Sequence, residues 1–366
     1  MWFVLVLLFQ GSTALYTLNQ GAHRKCDYAH VNRTYTCSYI ENIFPKMFYG
    51  NYALDCVSCS IPTFKVETFP YENSLISMNL TNSRIRNITS FAFQRLGGLH
   101  SLDLRYNVIR NVSRDAFNGL VEVYELYLDN NELEDLTPGF LNNFEGNQVR
   151  ISWNKLKSIA GKTFEGIKGV MALDLSHNHI FTLFEDSFSY LDGLEFLDMS
   201  DNALCNLPLG AFKNLKLLKT LNLAGNHFRK FHFGTFSGLN GLIELNLSRN
   251  ALIQFEPNVL LTMGNLRMVD IGANDLQYVD GLMIHSYAPP LRQIGISDNV
   301  WNCISLSNLI QYLHSVNIHV NEHYRYDVTN VHGIACADDT ITDQKLTFEK
   351  FYNILKRNTN NAYNYC

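Results

Sequence analysis

A chain of 366 residues, 46% hydrophobic and 17% charged, is apolar enough for a large core, and its formal net charge of −5 lacks the basic footprint of a nucleic-acid binder. The apolar run from Trp2 to Phe9 is too short to span a bilayer and leads into Gly11-Ser12-Thr13-Ala14, small residues suited to cleavage after Ala14. Residues 1–14 read as a signal peptide, although no basic residue precedes the run. No later apolar run reaches the roughly 18–20 residues of a membrane helix, so the expectation is a secreted chain with no membrane span.

Residues 15–74 carry Cys26, Cys37, Cys56 and Cys59 and read as an N-terminal cysteine cap. Four cysteines permit three connectivities, of which Cys26 with Cys37 and Cys56 with Cys59 is preferred. Cys56-Val57-Ser58-Cys59 lacks the second ligand pair of a zinc site and the surroundings of a redox motif. Five N-x-S/T sequons, at Asn32, Asn79, Asn87, Asn111 and Asn246, are glycan candidates in a secreted chain.

From residue 75 to 299 one pattern recurs. Its clearest copy is Leu218-x-x-Leu221-x-Leu223-x-x-Asn226-x-Phe228, LxxLxLxxNxL. The asparagine slot holds Ser83, Asn107, Asn131, Asn154, Asn178, Asn202, Asn226, Asn250, Asn274 and Asn299, spaced 24 residues apart except for a step of 23 into Asn154 and of 25 into Asn299. With that asparagine counted as position 9, position 19 carries Phe93, Phe117, Phe164, Phe188, Phe212 and Phe236, a spine for the convex side. A buried amide at position 9 supplies the turn's backbone groups that the sheet leaves unpaired. This resembles the leucine-rich repeat, and the resemblance implies an α/β solenoid: a horseshoe with a parallel concave sheet in which each unit buries its apolar edge against its neighbours.

Ten parallel strands at that spacing give a concave sheet about 45 Å long. Outward positions in the middle repeats hold Tyr106, Tyr124, Tyr127, Arg150, Trp153 and His177, with Arg105 beside them. Aromatics and arginine concentrate in binding hot spots, so these six are the candidate ligand-binding residues, set beside the alternative that they are ordinary solvated strand residues. Asp174, Glu195, Asp198 and Asp201 read as an acidic stripe next to them. Asn87 and Asn111 share position 13 of adjacent repeats and fall on one flank. Asn79 and Asn246 share position 5, so glycans there would shield the two ends of the concave sheet.

Residues 300–340 change pattern. Val300-Trp301-Asn302-Cys303 leads into Leu306, Leu309, Ile310 and Leu313 at helical spacing, a capping helix that a Cys303–Cys336 bond would tie down. The cap resembles those of extracellular leucine-rich repeat proteins, which open with a similar N-x-W-x-C. Asp298 to Cys303 with Leu306, the segment His332-Gly333-Ile334-Ala335-Cys336, and Cys26 with Tyr35-Thr36-Cys37 are similar to the leucine-rich immune proteins of mosquitoes, including the Anopheles Plasmodium-responsive type. That resemblance implies a haemolymph innate-immunity factor acting with complement-like thioester-containing proteins or with another leucine-rich repeat chain. Two features depart from the family: Ala335 stands where long members have a first cysteine, and no sustained coiled-coil heptads follow. Residues 341–366 have helical spacing at Leu346, Phe348, Phe351, Tyr352, Ile354 and Leu355, and Cys205 and Cys366 are each either a free thiol or an interchain link.

No catalytic motif stands out. Ala160-Gly161-Lys162-Thr163 lacks the first glycine of a phosphate loop, and no HExxH or GxSxG occurs. His314, His319 and His323 would face one metal only on a helix, and packed or exposed histidines account for them more simply. The sequence-level expectation is a non-enzymatic, cofactor-free binding protein for a protein or microbial-surface ligand, or else a matrix or cell-surface adhesion protein.

Overall fold

The computed structural model describes residues 25–45, 47–321 and 330–336. The expected signal peptide 1–14, the tail 341–366 and the interchain candidate Cys366 lie outside the described residues. The main sheet has 14 strands among the described residues, lying side by side in chain order from Lys25–Ala29 to His319–Val320. Only the first pair, closed by a turn at residues 30–33, is antiparallel. The others advance in register one repeat at a time, as in Leu197↔Leu221 and Leu221↔Leu245. These leucines are buried, so the alternation of the L-x-L stretch sets one face of every strand against the core. The result is the expected horseshoe, with the sheet as its concave wall.

Position 9 works as anticipated. Asn226 Oδ1 accepts from Leu204 N–H at 3.0 Å, and its Nδ2 donates to Met199 O at 3.0 Å and Leu223 O at 3.1 Å. The same bonds recur rung after rung, for instance at Asn178 and Asn202. Ser83 opens the ladder and cannot reach so far; the N–H of Ile61 is taken by its main-chain carbonyl at 2.9 Å.

The convex side is filled by phenylalanine, with one addition to the sequence reading. The 23-residue repeat has Leu141 in the spine slot, and Phe140 takes the ring's place, 6.3 Å from Phe117 and 6.4 Å from Phe164. The spine also runs on into the N-terminal cap, where Phe64 stacks on Phe93 at 4.6 Å and Phe44 on Phe69 at 4.3 Å. Parallel pairing likewise extends into the cap. Tyr52–Val57 lies against Leu75–Asn79 with Asp55↔Asn79, which puts Cys59 in the asparagine slot one turn before Ser83. Cys56 bonds to Cys59 there, and Cys26 to Cys37 beside it, so both preferred pairings form.

At the other end Asn302 caps the helix Cys303–Ser315, accepting from Ser305 N–H at 3.0 Å, and Leu306, Leu309, Ile310 and Leu313 turn inward. Cys303 bonds to Cys336, and Trp301 Nε1 donates to Ile296 O at 2.8 Å. A second helix, Gly281–Tyr287, was not anticipated; it lies inside the 25-residue repeat and packs against the cap helix at Gly281, where a Cβ would press on Leu309 and Tyr312. His319 stands in a strand rather than a helix, which removes the geometry of a shared metal; His323 is outside the described residues. Cys205 is disulfide-bonded, which corrects its reading as a free thiol.

Candidate binding face

The repeat geometry sorts the six predicted residues into three rows. Tyr124 is at position 2, where the strand begins; its ring meets His100 edge-on at 5.2 Å, and His100 lies 3.4 Å from Glu122. Tyr127 and Arg150 are at position 5, side by side on the open face, paired in register. Tyr106, Trp153 and His177 are at position 8, just past the strand's end. Neighbours within a row therefore meet, whereas Tyr124 stands apart from the rest.

Position 5 has a structural task on most rungs. An Asp or Asn there accepts the N–H two residues on: Asn79 from Thr81, Asp103 from Arg105, Asp174 from Ser176, Asp198 from Ser200, Asn222 from Ala224, Asn246 from Ser248 and Asp270 from Gly272, all between 2.8 and 3.1 Å. This also gives the sequons at Asn79 and Asn246 a structural origin, since the residue two on serves the same turn. Tyr127 and Arg150 break the rule on consecutive rungs. Asp129 substitutes, accepting Ser152 N–H at 3.0 Å and Ser152 Oγ–H at 2.7 Å from the rung before. Burial pushes the Asp129 carboxyl above its ordinary range, opposed by those two hydrogen bonds.

A connected row results. Arg105 grips Asp103 with two nitrogens and lies over the Tyr127 ring at 4.9 Å; Arg150 covers the same ring at 5.9 Å and reaches Asp174 at 3.5 Å. The hydrogen bond to Asp103 holds Arg105 more firmly protonated, and burial, followed by a hydrogen bond to Glu125, raises the Tyr127 phenol. Arg150 Nε is buried without a hydrogen bond.

Position 8 is left-handed throughout. Asn82, Tyr106, Asn130, Trp153, His177, Asp201, Gly225, Arg249, Ala273 and Asp298 have φ between 50° and 65°. Trp153 lies flat on His177, centroids 4.1 Å apart; His177 is 3.7 Å from Asp201; and Asp201 takes both terminal nitrogens of Arg249 at 2.8 and 3.0 Å across the bare rung of Gly225. The predicted acidic stripe is thereby partly neutralised. Asp174 and Asp198 serve backbone turns, Glu195 pairs with Lys219 at 2.7 Å, and Asp201 is held by Arg249. Arg249 and Glu125 were missed, though counting position 8 through every repeat would have found Arg249.

On the outer side, Asn87 and Asn111 pair in register in a small convex sheet, and Asn111 Nδ2 donates to Asn87 Oδ1 at 2.9 Å. Asn32 is exposed on the N-terminal turn. No group of three metal-ligating side chains occurs, and no helix is long and apolar enough to cross a membrane, among the described residues.

The leucine rich repeat family model matches residues 73–133, 147–204 and 216–276. No curated protein sequence matches the chain. Among solved structures, the glycosylated form of the Drosophila Toll–Spatzle complex aligns at 20% identity over 73% of this chain and 44% of that chain, with a TM-score of 0.54. A second structure of that complex aligns at 20% identity over 73% and 43%, with a TM-score of 0.53. The TLR13–ssRNA13 complex aligns at 18% identity over 70% and 48%, with a TM-score of 0.47. The chain spans less than half the length of each of these three chains, and the likeness to the Toll–Spatzle complex is one of fold.

Proposed function

Given that the chain is a leucine-rich repeat protein, we propose that it is a secreted, non-enzymatic innate-immunity factor that recognises a protein or microbial-surface ligand through its concave face. The observation that carries the reading is the break at Tyr127 and Arg150. Two consecutive rungs give up the turn-capping residue of their neighbours, and a carboxylate is buried to compensate, in the place where aromatic and guanidinium groups gather. A surface that departs from its own structural rule is expected where a ligand is met. Closed disulfides in both caps fit an oxidising compartment. The cap motifs carry the likeness to the mosquito immune family, and with it the proposal of a complement-like thioester protein or a second leucine-rich repeat chain as partner.

The test immobilises the intact protein and the double variant Tyr127→Ala/Trp153→Ala in mosquito haemolymph. Recovery of a thioester-containing protein by the first and its loss from the second, with both folded by circular dichroism, is the expected result. Equal recovery by both moves the site off this face. Retention of the protein on cells or matrix, with nothing recovered from fluid, replaces the immune reading by the adhesion one.

A further inference from the structure

We infer that residues 337–366, which lie beyond the described residues, fold back along an exposed apolar stripe on the flank of the last repeats, and that a Cys205–Cys366 disulfide pins their end there. The flank is a different surface from the concave face, so the inference stands apart from the proposed ligand site.

The cysteines point to it first. The chain has eight. Six close three bonds among themselves, Cys26–Cys37, Cys56–Cys59 and Cys303–Cys336. Cys205 is disulfide-bonded as well, which leaves Cys366 as its counterpart within one chain. Counted from the asparagine slot, Cys205 is at position 12 and Cys303 at position 13, so the two stand on the same flank, four rungs apart. Four rungs are about 20 Å. Residues 337–365 would cover about 43 Å even as one continuous helix, and more when extended, so the tail is long enough to return.

The flank changes character before Cys205. On the four rungs from Ser83 to Asn154, position 12 holds Arg86, Arg110, Glu134 and Lys157, with the sequons Asn87 and Asn111 beside them. Arg110 pairs there with Glu132, and Lys157 with Glu134. From the Asn178 rung to the cap, every rung instead carries a large apolar side chain facing outward between positions 12 and 16. These are Phe181, Leu209, Phe233, Ile253, Tyr278 and Ile304, each 55–65% exposed. The rungs approach one another across this band: a Cβ on Gly234, next to Phe233, would lie 4.0 Å from Leu209. No sequon falls on the band. Single exposed apolar residues are ordinary, whereas a row of six that begins at the cap and passes the Cys205 rung marks a surface that something covers.

The tail has the matching face. Phe348, Phe351, Tyr352 and Leu355 follow the i, i+3, i+4, i+7 spacing of one helix side, and Glu349, Lys350, Lys356 and Arg357 fall outside it. A helix over residues 346–357 is about 18 Å long and 10–12 Å wide. The band is about 20 Å long over four rungs, and its five residues from position 12 to 16 span roughly 13 Å. Direction agrees too. The tail leaves the cap where Cys336 is held to Cys303, and it ends at Cys366, the residue that the Cys205 rung requires. Closing that bond takes two electrons and two protons from the two thiols, passed to the disulfide of an oxidoreductase by thiol–disulfide exchange.

The experiment takes the intact protein from the monomer band of a non-reducing gel, digests it with trypsin without reduction and weighs the peptides. The expected product is the Cys205 peptide joined to residues 358–366, released by cleavage after Arg357. Cys366 found free, capped by a small thiol, or joined to Cys205 only in a reducible dimer overturns the inference. A second measurement tests the stripe separately from the bond. Brief native trypsin treatment, read after reduction, should cut the tail at Lys350, Lys356 and Arg357 roughly tenfold more slowly in wild type than in Phe233→Asp/Ile253→Asp. Both substituted side chains are exposed, so the variant keeps its core, and circular dichroism checks this. Equal cutting in the two proteins would overturn the stripe as the tail's seat, even with the Cys205–Cys366 bond present.

Discussion

Replacing Asn226 by alanine tests the asparagine ladder where it is most regular. The amide serves four backbone groups, but their fates differ once it is gone. Met199 O still receives Asn202 Nδ2 at 3.1 Å, Leu223 O still receives Asn250 Nδ2 at 3.1 Å, and Ala224 O still receives the Asp201 N–H at 2.8 Å. The Leu204 N–H, which donated to Oδ1 at 3.0 Å, is left buried without an acceptor. One orphaned donor costs about 1–3 kcal/mol, and the lost bonds and emptied volume add about 1 more, so the expected loss is about 2–4 kcal/mol. Urea unfolding measures the total, and hydrogen exchange at the Leu204 amide locates it. A loss below about 0.5 kcal/mol with unchanged Leu204 protection would refute the account, since an orphaned buried donor cannot be that cheap.

Other substitutions probe the binding face and the flanks. Asp129→Asn keeps an acceptor for Ser152 and removes a charge whose folded pKa is raised by burial. A raised carboxyl favours folding below its unfolded pKa and loses that contribution as pH rises through the folded one, so the variant should outlast wild type in urea at pH 7 and lose the advantage toward pH 4. Gly225→Ala puts a Cβ against the Asp201 carboxylate at a left-handed φ of 65°. Its expected cost is about 1–2 kcal/mol, from backbone strain and the lost Asp201–Arg249 pair, and the same change in an Asp201→Ala background should cost less. Leu221→Ala, a buried strand leucine, should lose about 2–5 kcal/mol in the same assay. Protein recovered from culture medium should lose mass on glycosidase treatment, with smaller losses in Asn87→Gln and Asn111→Gln if those sequons carry glycans.

What the sequence displayed was whatever repeats or pairs locally. The 24-residue period set the sheet register, and the tryptophan, cysteine and leucine spacing near residue 301 announced the C-terminal cap. Three features stayed hidden for a common reason, that their partners lie one or two rungs away. Phe140 fills a spine slot one residue early because the shortened repeat shifts its return segment, which becomes visible only when the rings of Phe117 and Phe164 bracket it. The acidic stripe was legible as composition, but the pairing of Glu195 with Lys219 and of Asp201 with Arg249, 24 and 48 residues away, was not. Position 8 is the third: a count gives the row, whereas its left-handed backbone, which carries Trp153 onto His177, is a property of the turn.

The break at Tyr127 and Arg150 shows how little freedom a repeat leaves for function. Position 5 faces outward, so a side chain there is cheap for the core, yet its carboxylate or amide closes the turn two residues on, in seven of the rungs from Asn79 to Asp270. Substituting Tyr or Arg leaves a turn N–H to be satisfied elsewhere, and an unsatisfied one costs about 1–3 kcal/mol. The chain meets the demand at Ser152 by moving a carboxylate to position 7 of the preceding rung, where burial works against its charge. Mere stability would have been served by Asp or Asn at both positions, as on the rungs above and below. The arrangement present instead places Arg105 and Arg150 against the Tyr127 ring. A row that forgoes the local solution twice in succession, and compensates from a neighbouring rung, is the structural argument for the proposed ligand site.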